Sequence, residues 1–236
     1  VLIACWSPKG GSGTSVIAAA TALLLARETG AARLVDLDGD QPAVLGLAED
    51  PRTGVGDWLA AGPAAPTEAL DRLSVDVAPG LSLIPAGTDS RVPAPPAAAE
   101  AGASLVMAFR DGAASVVLDA GRADTPAARA AVELADHSVV VSRGCYLALR
   151  RIARHPLLDR VAGAVLVEEV GRSIGAKDVA AVLDRPVLAR VPARADIART
   201  VDAGLLGSRL PDALRRPAAT LLESLGLLPR RRGRAA

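Results

Sequence analysis

Three short stretches hold the side chains whose types and spacing suit chemistry. In "PKGGSGTS", residues 8–15, Gly10, Gly11 and Gly13 permit a tight turn that aims backbone N–H groups at an anion, and a following helix adds its positive end. Lys9 contributes a charge, Ser12 and Thr14 flank the last glycine, and Ser15 places a hydroxyl where phosphate-binding loops ligate Mg²⁺. Such loops carry a lysine directly after their last glycine, and here that position is Thr14. In "LVDLDGD", Asp36, Asp38 and Asp40 alternate at the end of an apolar run. In "SVVLDAG", Asp119 ends another such run, the usual place for a carboxylate that holds a metal's water shell. Taken singly, each has a plainer explanation, a glycine-rich turn or an acid that caps a helix. In this order along one chain they describe a site for Mg²⁺ and a nucleotide phosphate.

Such residues need a scaffold that brings the ends of separate apolar runs together. Strand-like runs at residues 1–6, 33–37, 81–85, 115–119, 138–142, 162–167 and 187–191 alternate with helical stretches at 15–29, 98–110, 125–135, 146–155, 176–184 and 194–203. Continuous apolar strands separated by helices predict an α/β fold, a mostly parallel central sheet flanked by helices on both faces. Ligands bind such sheets at the carboxyl ends of the strands, where all three stretches fall. Residues 1–210 are expected to form one nucleotide-binding domain, and 211–236 a C-terminal helix and basic tail that is no separate domain. Pro217 is expected to begin that helix, since proline fits a first turn better than an interior. The Pro/Ala/Gly-rich pieces at 50–68 and 89–99 read as surface excursions.

Composition narrows the functional classes. The chain of 236 residues suits one sizeable core, and with half its residues hydrophobic but only 2% aromatic, that core must be Ala, Val, Leu and Ile. A net charge of +1 gives no global reason to expect nucleic acid or an acidic substrate. Cys5 and Cys145 lie far apart and outside any metal-ligand spacing, so they read as small apolar residues of a cytoplasmic protein. His137 and His155 have no nucleophile at a readable spacing, which argues against a hydrolase built on either. No apolar run reaches the roughly 18 residues of a membrane span and no leader precedes the first strand, so the expected location is cytoplasmic, at most peripheral to a membrane. Only Lys9 and Lys177 are lysine among 27 basic residues, which singles out the lysine of the glycine-rich loop.

"PKGGSGTS", "LVDLDGDQ", "LSLIPAG" and "SVVLDAG" together resemble the deviant Walker A, A′ and B regions of the MinD/ParA family of P-loop ATPases. "ADHSVVVSRGCYLALRR" and "VLARVPARADIARTVDAGLL" are similar to later segments of that family, so the likeness runs to about residue 210. The resemblance implies a three-layer P-loop fold that binds Mg-ATP as a homodimer, a nucleotide-dependent switch in chromosome partition or in septum or pilus placement. It implies that Lys9 reaches the phosphates of the partner subunit's nucleotide and that Ser15 ligates Mg²⁺. Asp38 would position the attacking water with Asp36 near the metal, Asp119 would be the Walker B aspartate, and the segment from Pro192 would pack near adenine. Two positions depart from the family. Thr14 replaces the lysine that contacts the β- and γ-phosphates, which implies weak or absent hydrolysis. Glu168 and Glu169 stand where the family has an asparagine that reads the base. The atypical loop is similar in style to the TadZ/CpaE-like branch of pilus-assembly and septum-placement proteins.

Other readings stay open at this level. One is a pseudo-ATPase scaffold that folds without nucleotide. Another is a Rossmann dinucleotide-binding domain, since "GSGTSV" begins like G-x-G-x-x-G and Asp36 closes the second strand, although Val16 occupies the place of the third glycine. The tail "LLESLGLLPRRRGR" within 217–236 would suit an amphipathic membrane contact or an arginine contact to DNA. A helix packed on the domain with a solvated basic end is the favoured account of it.

Overall fold

The computed structural model describes residues 1–88, 95–110 and 112–229. Part of the 89–99 piece and the arginines from 230 to 234 lie outside the described residues. The apolar opening forms β1 (Leu2–Trp6), and the alanine-rich stretch after the glycine loop forms α1 (Thr14–Thr29). Next come β2 (Ala32–Asp36), three short helices α2 (Gln41–Leu45), α3 (Val55–Ala60) and α4 (Glu68–Arg72), and a hairpin of β3 (Val75–Ala78) and β4 (Leu81–Ile84). Helix and strand then alternate through α5 (Pro95–Arg110), β5 (Ser115–Asp119), α6 (Pro126–Leu134), β6 (His137–Arg143), α7 (Tyr146–Ile152) and β7 (Val161–Glu168). They continue as α8 (Ala176–Leu183), β8 (Val187–Pro192), α9 (Ala195–Asp202) and α10 (Asp212–Ser224).

The strands form one eight-stranded sheet in the order β3-β4-β2-β5-β1-β6-β7-β8. Every pairing is parallel except β3 with β4. This is the expected α/β architecture. Along β1 the side chains alternate between two cores, as strand geometry requires. Ile3 and Cys5 join the core under α1 and α10, while Leu2, Ala4 and Trp6 join the one under α3, α5 and α6. α1 is apolar nearly all round and buried from Ile17 to Ala26, as befits a helix packed between a sheet and other helices. A parallel sheet covered on both faces explains why its strands read as continuous apolar runs.

The order also settles one alternative. A Rossmann dinucleotide fold sets its first two strands side by side. Here β5 lies between β1 and β2, so the dinucleotide-binding reading does not hold.

Three local expectations need correction. The 50–68 piece is more than a surface excursion, because α3 buries Val55, Trp58 and Leu59 in the core. Gly54 makes this possible by lying so close to the end of β4 that a Cβ would stand 2.1 Å from the Pro85 carbonyl oxygen. The edge strand β3 was not expected at all. Pro217 lies inside α10, which begins at Asp212. Leu214, Ala218, Leu221 and Leu222 are buried there against α1 and β8, and that packing outweighs the hydrogen bond proline cannot make. With its apolar face inside the domain, α10 has none of it free to lie on a membrane. No helix among the described residues is long and apolar enough to cross one.

Candidate phosphate-binding site

The loop from β1 to α1 is shaped by its own short side chains. Gly11 (φ 72°) and Gly13 (φ 88°) are left-handed, a conformation that strains any residue with a Cβ. The Ser12 hydroxyl donates to the Lys9 carbonyl at 2.8 Å and meets the Ser7 hydroxyl at 2.9 Å, so both serines brace the loop from within. The backbone N–H groups from Gly10 to Val16 find no acceptor among the described residues, and the first turn of α1 carries no acid. Such a ring of N–H groups at a helix start is a cradle for an anion.

The cradle opens on a cavity of about 180 Å³ lined by residues 9 to 16, Asp38, Asp40, Val44, Gly121 and Arg122. Lys9, Gly10, Gly11, Ser12, Gly13, Thr14, Ser15 and Asp38, all singled out from sequence, therefore meet at one place. Asp36 and Asp119 do not line it. They lie behind its floor, fully buried and directly paired at the carboxyl ends of β2 and β5. Asp36 accepts from the backbone N–H groups of Asp38 (3.0 Å), Gly39 (2.7 Å) and Gln41 (3.0 Å), so it shapes the turn that presents Asp38. Asp119 accepts from Gly121 N–H at 3.1 Å and from the Gln41 amide at 2.6 Å. The same Gln41 nitrogen donates to the Ser15 carbonyl at 2.9 Å, which ties α1 to both carboxylates. Gly121 fits flush against Asp38, where a Cβ would come within 2.1 Å of its carboxyl.

Burial dominates the electrostatics. It raises Asp36 to about 7, helped by the Asp119 charge, against the pull of three backbone N–H groups. It raises Asp119 to about 6, while hydrogen bonds from Gln41, Ser15 and Gly121 act the other way. At the rim, desolvation and then the charges of Asp40 and Asp124 raise Asp38, with Arg122 opposing. Two adjacent buried carboxylates held above their ordinary range would both be relieved by a cation. No group of three or more His, Cys, Asp or Glu among the described residues is arranged to hold a metal by itself. Mg²⁺ does not need one, since it binds few protein oxygens and completes its shell with water and phosphate. The Ser15 hydroxyl on the cavity wall, Asp119 behind it, and the Gln41 Oε1 that is buried without a partner fit that ion.

A second cavity, of about 340 Å³, opens from the same loop between Ser12, Gly13 and the apolar side chains of Val16, Ile17, Val191 and Ile197. Pro192 belongs here, beside the loop and not in the cradle. Glu168 and Glu169 are absent from its walls. Glu168 pairs with Arg190 at 2.7 Å, and Glu169 with Arg143 at 2.6 Å and Arg172 at 2.8 Å. Two arginines line this slot: Arg194, paired to Asp196 at 2.9 Å, and Arg143, whose Nε is buried without a partner. Sequence reasoning missed Gln41, Arg122 and Arg143. Gln41 could have been suspected as the one glutamine of the chain, directly after the aspartate cluster, and Arg122 as the cation three residues past Asp119. Nothing in the sequence marks Arg143.

No family model matches the sequence, and no curated protein matches it. Solved structures do. MinD of Aquifex aeolicus aligns with a TM-score of 0.77 at 18% identity, over 98% of this chain and 99% of its own. The septum site-determining protein MinD of Pyrococcus horikoshii, complexed with Mg-ADP, aligns at 0.74 and 20%, over 95% of each chain. A ParA family ATPase of Chlorobium tepidum aligns at 0.74 and 20%, over 95% of this chain and 97% of its own. The fold is that of the MinD and ParA ATPases. On this MinD/ParA fold the ends of β1, β2 and β5 gather the glycine loop, Asp38 and Asp119 at one sheet edge.

Proposed function

We propose that the chain is a MinD/ParA-like protein that binds Mg-ATP, dimerises with it, and hydrolyses it slowly or not at all. Its role would be nucleotide-dependent positioning within the cell, of a chromosome, septum or pilus. The observation that carries this reading is the cradle of unpartnered N–H groups above two buried carboxylates that Gln41 bridges to α1. Phosphates would take the N–H groups of residues 10 to 16, and the apolar slot beside Pro192 would take the base. Ser15 and, through water, Asp119 would hold Mg²⁺, which when bound supplies charge neutralisation on the β- and γ-phosphates. Asp38 at the rim would orient a water molecule, with Gly121 fixing where its carboxylate stands. The Lys9 ammonium has no partner among the described residues, which suits a group that reaches a nucleotide across a dimer. The MinD of Pyrococcus horikoshii complexed with Mg-ADP supports the choice of ligand. The domain would run to residue 210, with α10 packed on it as part of the same unit.

Thr14 favours the second reading, a scaffold without nucleotide. Calorimetry with ATP and ADP, with and without Mg²⁺, separates the two. Mg-dependent ATP binding in the micromolar range, weakened by Lys9→Ala, is the expected result. No binding at millimolar ATP would leave the scaffold. Turnover of several ATP per second, absent in an Asp38→Ala control, would contradict slow hydrolysis.

A further inference from the structure

Beside the glycine loop, sharing Gly10 and Arg122 with the phosphate cavity, lies a larger cavity of about 480 Å³. Its cations come from three parts of the chain: Arg122 after β5, Arg129 on α6, and Arg150, Arg151 and Arg154 on α7 and the turn that follows it. One carboxylate lines it, Asp124, and that is paired to Arg122 at 2.6 Å. Arg129 is held by backbone carbonyls, through Nε to Ala123 at 3.1 Å and through its terminal nitrogen to Asp124 at 3.3 Å. Arg151 reaches the Pro8 carbonyl, at 3.4 Å, and no other acceptor among the described residues. Arg150, on α7, and Arg154, in the turn after it, have no hydrogen-bond or ion-pair partner among the described residues.

An arginine-rich composition does not account for this cluster. Several arginines elsewhere on the surface meet carboxylates one to one: Arg33 with Asp71, Arg190 with Glu168, Arg194 with Asp196, Arg215 with Asp212. Here five guanidinium groups converge with a single acid among them, an arrangement that repels itself until an anion enters. The wall behind them is anchored, because His155 packs at a tilt against the buried Trp6 ring, 4.5 Å between centroids, and accepts from Leu157 N–H.

We propose that this cavity binds a small molecule carrying two or more phosphates. Guanidinium forks match phosphate oxygens two at a time, and more of them gather here than one monoanion needs. The volume is that of a small-ligand pocket. Three parts of the chain bring their charges to one volume, whereas a nucleic-acid backbone would call for a stripe. The site overlaps the phosphate cavity at Gly10 and Arg122 but needs neither Lys9 nor Ser15.

Titration calorimetry of the whole chain with inorganic tripolyphosphate tests it, with Lys9→Ala and the double variant Arg150→Ser/Arg154→Ser alongside. Both arginines are exposed, so the double variant keeps the fold, which circular dichroism verifies. The expected result is binding by wild type and by Lys9→Ala, weakened roughly ten-fold or more in the double variant, with ATP binding as in wild type. Equal binding by the double variant would put the probe in the glycine loop and overturn the proposal. So would no binding by wild type at millimolar probe. An oligoglutamate peptide that binds as tightly as tripolyphosphate would also overturn it, by showing a cationic surface without phosphate geometry. Loss of ATP binding in the double variant would do the same, by assigning these arginines to the nucleotide.

Discussion

Thr14 stands at the first position of α1 and lines the phosphate cavity, at the place where phosphate-binding loops carry a lysine. A charge-assisted contact to phosphate contributes roughly 1.5–3 kcal/mol, or about 10- to 150-fold in affinity. Thr14→Lys is therefore expected to tighten ATP binding within that range, as read by calorimetry. No gain would mean that Arg122, on the same cavity, already supplies the charge. A second residue-scale consequence concerns pH. Asp36 and Asp119 are raised to about 7 and about 6, above the ordinary carboxylate value of about 4. Each is protonated more readily folded than unfolded, so its contribution to stability is full below about pH 4 and is lost as pH rises through the folded values. The metal-free protein should accordingly melt at least about 3 °C lower near pH 8 than near pH 5. Asp119→Asn should flatten that slope, because the amide does not titrate and no longer raises Asp36 through its charge, while its oxygen can still accept from Gln41. A melting temperature that rises toward pH 8 would show that another group governs stability there.

At the scale of elements, α10 makes a direct test of packing against backbone chemistry. Pro217 sits one turn inside the helix, lacks the N–H that would bond to the Ala213 carbonyl, and costs about 3 kcal/mol relative to alanine at such a position. Part of that returns through the unfolded chain, which proline stiffens, and through the half-buried ring, which lines a small cavity together with Ile17 and Val191. Pro217→Ala should still stabilise the fold by about 1–2 kcal/mol in urea unfolding, and a loss instead would show that the ring's packing prevails. The same helix shows what the sequence makes legible. Leu214, Ala218, Leu221 and Leu222 were readable as one face, but the helix start was not, because proline's local preference pointed to 217 and tertiary burial overrode it. Long apolar strands such as β1 and β5 announce themselves through continuous burial on both faces. α2, α3 and α4 are five or six residues long, too short to show a helical period, and β3 is an exposed edge strand with Asp76 in its middle. The glycine loop was legible because its chemistry is contiguous. The arginine cavity was not, since its residues are scattered from 122 to 154 in a chain that uses arginine nearly everywhere.

For the molecule as a whole, the question is whether its C-terminal segment is an appendage or part of the core. Leu214, Leu221 and Leu222 are each nearly or wholly inaccessible to solvent, in the same core that holds α1 and β8. Burying each leucine contributes about 1.5–3 kcal/mol, against a total stability of about 5–15 kcal/mol for a domain. Ending the chain after Leu210 would remove all three and expose the inner face of α1, including Ile17 and Ala20. The expected outcome is a chain that loses its cooperative thermal transition and its ATP binding together. A detachable membrane anchor behaves differently: the shortened chain would keep its melting temperature and its nucleotide and lose only association with anionic liposomes. Leu221→Ala separates the cases without deleting anything. A core residue loses about 2–5 kcal/mol on that change, whereas the apolar face of a surface anchor loses almost nothing in solution.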